Sequence, residues 1–151
     1  MMDALPYFLA SLGTALAGGI MTRKSISSGW YASLKKPSWQ PPPVYFTVIW
    51  TIIFIILAWS TYTAMKVHSS CGIIILFLLN LFTNTLWTVY FFILRDLERS
   101  IYVLLFLLLN TTILTIKIYE RDCLAGKYMM IYLAWLVVAL ILNIQIYRLN
   151  K

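Results

Sequence analysis

Apolar residues run along this chain in long blocks separated by short clusters of charge. A helix crossing ~30 Å of hydrocarbon needs ~20 residues, with ~17 as a lower bound. Five blocks meet that requirement, at roughly 5–21, 44–65, 72–94, 101–118 and 128–147, and none carries an acidic or basic residue in its interior. The breaks are Arg23-Lys24, Lys66-Val67-His68, Arg95-Asp96-Leu97-Glu98-Arg99 and Glu120-Arg121-Asp122. One such block could be a buried helix of a soluble protein, but five in tandem with such short breaks read as membrane spans. Within lipid each span must satisfy its own backbone hydrogen bonds, so the pattern predicts an all-α integral membrane protein built as a five-helix bundle.

The stretch Trp30-Tyr31-Ala32-Ser33-Leu34-Lys35-Lys36-Pro37-Ser38-Trp39-Gln40-Pro41-Pro42-Pro43 stands apart between the first and second blocks. Its prolines fix φ and remove backbone donors, which excludes a continuous helix. Its indole and phenol rings suit the membrane–water boundary. The composition predicts a folded cap at the bilayer surface, in contrast to a flexible Gly/Ser linker.

Composition strengthens the membrane assignment: 62% of residues are hydrophobic, 11% are charged, and the mean hydropathy is +0.84. The 151 residues read as a single domain, 1–151, without internal repeat or low-complexity tract. Ala15-Leu16-Ala17 resembles a signal-peptidase site, but the early segment lacks the positive flank of a signal peptide and carries only Asp3, so it reads as a retained first helix. With five spans, one side holds Arg23, Lys24, Lys35, Lys36, Arg95, Arg99, Arg148 and Lys151, and the other holds Lys66, Lys117, Arg121 and Lys127. The positive-inside rule then places the Trp/Pro loop and the C-terminus in the cytosol. The net charge of +7 is spread along helix ends facing lipid headgroups and calls for no nucleic-acid partner. Cys71 and Cys123 fall at the opposite, non-cytosolic ends of spans, either as two unrelated small residues or as a disulfide pair that sequence cannot establish.

The spans lack the groups that several chemistries require. A coupled transporter keeps a charged residue inside the membrane, and none is present. The single histidine, His68, lies in a short loop, so no intramembrane imidazole is available to a haem iron. No cluster has metal-ligand spacing and no Ser–His–Asp or Cys–His arrangement can assemble within a span, which argues against hydrolytic or metal-dependent catalysis and for no obligatory cofactor.

What the spans do carry is aromatic and amide side chains. Asn80, Asn84, Trp87 and Phe91 are spaced to share one helix face. An asparagine in hydrocarbon seeks a partner, which turns that face inward, either as interhelical glue or toward a cavity. Trp50 and Trp135 lie deeper than an interfacial belt, and Ala139 and Asn143 follow Trp135 at one-turn intervals. Gathered beneath the Trp/Pro loop, these residues predict an aromatic, weakly polar, uncharged pocket for a flat hydrophobic ligand. Ser11, Ala15 and Gly19, with Gly13 and Ala17, form small-residue faces suited to close packing within the bundle or in a homodimer. The C-terminal run Leu142…Tyr147…Lys151 fits the loose pattern for cholesterol contact.

Together these residues carry a resemblance. The run Trp30-Tyr31-x-x-Leu34-x-Lys36-Pro37-Ser38-Trp39-x-Pro41-Pro42 resembles the first-loop signature of the TspO/MBR family of translocator proteins, or peripheral benzodiazepine receptors. Asn84, Trp87, Phe91 and Phe92 resemble the family's third-helix pattern. Tyr132, Leu133, Ala134, Trp135, Leu142 and Asn143 resemble its fifth, and Gly18-Gly19 its first-helix glycine pair. Val103, Ile131, Ile144 and Gln145 depart from common family residues. The resemblance implies a membrane protein of a bacterial envelope or the mitochondrial outer membrane, usually homodimeric, that binds protoporphyrin IX, sterols and synthetic isoquinolines among its helices. It implies pocket or lid roles for Tyr31, Trp39, Trp50, Asn84, Trp87, Trp135 and Ala139. The aliphatic and amide residues at 144 and 145 weaken the expectation for sterols. Some bacterial members are associated with light- and oxygen-dependent porphyrin breakdown, a role that would fall to Trp50 and Trp135 as catalytic residues. A receptor or carrier for porphyrins and similar ligands is the leading expectation, beside a porphyrin-degrading enzyme and a ligand-sensing stress regulator.

Overall fold

The computed structural model describes residues 3–151 as a bundle of five long helices with a short sixth in the first loop. Helix α1 spans Leu5–Ser27, α2 is the single turn Trp30–Ser33, and α3 spans Pro43–Val67. Helix α4 spans Cys71–Thr88 and continues through a π-helical turn, Val89–Ile93; α5 spans Leu97–Tyr119 and α6 spans Cys123–Asn150. The long helices pack as a closed ring in the order α1, α3, α6, α5, α4 and back to α1. Neighbours in the ring are therefore not always neighbours in sequence. All five long helices are long and apolar enough to cross a membrane.

Several helices run beyond the charge-free blocks. Helix α1 continues to Ser27 through Arg23 and Lys24, whose charge near the last turn complements the carbonyl end of the helix. Helices α5 and α6 start at Leu97 and Cys123, not near 101 and 128, because Asp96 and Asp122 cap them. Asp96 accepts from the Arg99 amide at 2.9 Å and Asp122 from the Ala125 amide at 2.9 Å. Counting only uncharged residues therefore clips a helix wherever its first turns hold Glu98, Arg99 or Lys127.

The bundle is apolar outside and holds its amides inside. Leu12, Leu16, Ile20, Leu78, Phe82 and Leu109 are exposed on the perimeter, as lipid-facing residues should be. Asn80, Asn84, Asn110, Thr111 and Asn143 are buried. Asn80 donates to Asn110 Oδ1 at 3.2 Å and Thr111 Oγ1 at 2.7 Å, while the Tyr132 hydroxyl donates to Asn80 Oδ1 at 3.0 Å. The Asn84 amide donates to the Tyr132 hydroxyl at 3.2 Å. This chain links α4, α5 and α6 at mid-depth, and it places Asn80 as interhelical glue. Ser60 Oγ donates to the Ala125 carbonyl at 3.2 Å and adds a tie from α3 to α6.

Helix α1 is the least buried of the five. Near its start, Tyr7 packs on Phe77 and Tyr62, with ring centroids 5.7 and 6.2 Å apart, and closes one end of the bundle. Toward the loop, its inner face borders open space. The small residues explain this. A Cβ added at Gly18 would meet only Thr88 Oγ1 at 3.8 Å, and one at Gly19, at the rim, would meet no atom within 4 Å. Gly18 and Gly19 thus make room beside the helix within the bundle, while Gly13 lies on its exposed perimeter.

Candidate functional site

That space is a cavity of about 400 Å³ near the loop end of the ring, walled by α1, α3, α4 with its π turn, α6 and the loop. Its volume falls in the range of small-molecule sites. The wall is mainly aromatic: Tyr31, Phe46, Trp50, Phe54, Trp87, Phe91 and Phe92 all line it. Trp50 and Trp87 stack with centroids 5.9 Å apart and planes 29° apart. The π turn wraps one extra residue into the helix, seen in the Leu94 amide donating to the Val89 carbonyl at 2.9 Å. Across that turn the adjacent Phe91 and Phe92 both reach the cavity, with their rings 4.7 Å apart.

Two amides on the wall have different roles. Asn143 is fully engaged: its oxygen accepts from Trp87 Nε1 at 3.0 Å and Ser100 Oγ at 3.1 Å, and its amide donates to the Leu97 carbonyl at 3.3 Å. It therefore fixes the Trp87 ring. Asn84 gives its amide to Tyr132, and its oxygen has no donor among the described residues. That oxygen can accept from an N–H on a ligand.

The loop forms a clasped lid. Gly29, at φ 75°, reverses the chain after α1, and α2 then sets Trp30 and Tyr31 over the π turn. Trp30 lies 6.1 Å from Phe91, and Tyr31 lies 5.7 Å from Phe92. Gln40 donates to the Tyr31 hydroxyl at 2.9 Å, and Lys36 Nζ sits 4.6 Å from the ring centroid. Burial raises the Tyr31 pKa against a smaller lowering by Gln40, and partial burial lowers that of Lys36. The far half of the loop is tied to α6. The Lys35 amide donates to Asn150 Oδ1 at 2.9 Å, Asn150 Nδ2 donates to the Lys35 carbonyl at 2.8 Å, and Trp39 Nε1 donates to Gln145 Oε1 at 2.7 Å.

Of the seven residues implicated by sequence, Tyr31, Trp50, Asn84, Trp87 and Ala139 come together on the cavity wall. Trp39 does not: it is 44% exposed, stands off the cavity wall and gives its indole N–H to Gln145. Trp135 stands one layer behind the wall, edge-on to Trp50 at 6.4 Å and to Phe46 at 5.6 Å, with its indole N–H unpartnered among the described residues. Sequence reading missed Arg23, which lines the mouth of a pocket expected to be uncharged. The signal was the helical register: Ala15, Gly19 and Arg23, with Gly18, Thr22 and Ile26, continue one face of α1 once the helix is carried past residue 21. Cys71 and Cys123 are free and exposed thiols at the other end of the bundle. There Arg121 also donates to the His68 carbonyl.

Comparison with known proteins agrees with this architecture. The chain is 32% identical to protein CrtK of Rhodobacter capsulatus, over 95% of this chain and 90% of that protein. It is 27% identical to the tryptophan-rich sensory protein of Cereibacter sphaeroides, over 95% and 89%. It is also 27% identical to the translocator protein of Sus scrofa, over 97% and 91%. The model of the TspO/MBR family matches residues 6–148. With that match across nearly its whole length and five membrane-spanning helices, the chain belongs to the TspO/MBR family, as an integral multi-pass membrane protein of the sensor or carrier kind.

Proposed function

We propose that this protein is a membrane receptor or carrier that holds porphyrins of the protoporphyrin IX type, and other flat hydrophobic ligands, in the cavity beneath its loop. The stacked Trp50–Trp87 pair on the wall of a 400 Å³ aromatic cavity carries the reading. Flat rings gain both apolar burial and stacking there, and the free Asn84 oxygen offers an acceptor for a pyrrole N–H. Sterols lack the planar π surface that this wall favours, which ranks them below porphyrins. Titrating the purified protein with protoporphyrin IX should quench tryptophan fluorescence saturably at one ligand per chain. Quenching that never saturates overturns the proposal.

A second reading, light- and oxygen-dependent porphyrin degradation, is favoured by one observation. Trp50 borders the cavity and touches Trp135 behind it, so an oxidised indole at the wall would have a second indole in ring contact. Bound porphyrin under illumination in air should then lose its Soret absorbance more slowly in Trp50→Phe/Trp135→Phe than in the wild type. An equal rate removes the enzymatic reading and leaves binding untouched.

A further inference from the structure

The exposure of the cavity's lining points to an opening at its side. Its strongly exposed wall residues come from α1 and α3, among them Gly19 and Arg23 on one side and Val44 and Thr47 on the other. Lining residues from α4, its π turn and α6 are buried or half-buried. These exposures point to a mouth on the α1–α3 side, on the perimeter that faces lipid, where a Cβ added at Gly19 would meet nothing within 4 Å. Arg23 stands at this mouth about 6 Å from the end of α1, at a rise of ~1.5 Å per residue, which is headgroup depth. Its guanidinium makes no hydrogen bond or ion pair among the described residues, and no carboxylate lines the cavity.

We propose that Arg23 is an anion anchor that makes the site selective for flat hydrophobic ligands bearing a carboxylate: the apolar body enters sideways from the bilayer, and the acid group stays at the mouth on the guanidinium. The inference rests on the binding function proposed above and adds to it the ligand's charge. Burying the ring system while leaving the acid at headgroup depth avoids desolvating the charge, and a guanidinium can meet a carboxylate with two parallel N–H donors. The rival occupant of Arg23 is a lipid phosphate, to which an arginine at a helix end can snorkel.

The test compares free acids with their methyl esters, using protoporphyrin IX and its dimethyl ester, and pyrenebutyric acid and its methyl ester, in phosphatidylcholine nanodiscs. The wild type should bind each acid about 10-fold more tightly than its ester, the scale of one partly exposed charge-assisted contact. Arg23→Gln should bring the ratio close to one with ester affinity unchanged, and Arg23→Lys should keep most of the preference. An equal preference in Arg23→Gln, or none in the wild type for either pair, overturns the proposal. So does a preference that vanishes when phosphatidylglycerol is added, since the net-anionic headgroup would then hold the arginine in place of the acid. If pyrenebutyrate shows the Arg23-dependent preference while neither porphyrin binds, the anchor stands and the porphyrin reading falls.

Discussion

Trp50→Ala is expected to weaken protoporphyrin IX binding by about 10- to 100-fold, while Trp39→Ala changes it less than ~3-fold, when both are titrated by porphyrin absorbance. The two residues belong to the same aromatic inventory and differ only in placement. The Trp50 ring forms wall and stacking surface at once, touching Trp87, Phe54, Tyr132 and Trp135 at centroid distances of 5.9 to 6.4 Å. Its removal deletes the proposed contact face and also the stacking partner of Trp87. The Trp39 ring bonds Gln145 outside the wall, so its loss loosens the lid without altering the surface a ligand meets. Size-exclusion profiles that match the wild type would confirm that the Trp50 variant is folded. Should that folded variant bind like the wild type, the stacked pair is not the ligand's seat.

Gly126→Ala is expected to lower the thermal midpoint in detergent by roughly 3–10 °C, whereas Gly13→Ala leaves it nearly unchanged. At the start of α6, Gly126 lies against the end of α5. A Cβ built there would stand 2.5 Å from Tyr119 Cβ and 2.6 Å from Tyr119 Cα. Backbone cannot swing aside as a side-chain tip can, so one methyl group must separate the two helices. The shift would propagate to Ala125, whose carbonyl accepts from Ser60 on α3. Gly13 faces open space, so the same added methyl meets no neighbour. Equal midpoints for the two variants would contradict the close approach of α5 and α6.

The five spans were legible because hydrocarbon imposes a length and a composition that few other environments impose. Their ends were less so. Asp96 and Asp122 looked like breaks, yet a carboxylate just before an apolar run is also the cap that starts a helix. The aromatic wall was visible in the spacing of Asn84, Trp87 and Phe91, since one helix face can be read from one helix. The π turn that brings Phe92 beside Phe91 was not, because a register slip leaves no mark in composition. Nor could local pattern place Trp39 outside and Trp135 behind, or pair Lys35 with Asn150. Those depend on how helices distant in sequence meet. Arg23 was missed for a simpler reason: a charge at the end of an apolar block was read as the end of the helix.

The ring order also bears on how the protein is made. Helix α3 is flanked by α1 and α6, so its partner on one side is made only after α4 and α5. Until α6 inserts, Trp50 and Phe46 have no Trp135 to meet, Trp87 has no Asn143 to hold it, and the loop has neither Gln145 nor Asn150 to grip. A nascent chain with four spans in the bilayer therefore presents an open aromatic trough to lipid. Insertion of α6 therefore closes the ring and completes the aromatic wall of the chamber in a single step.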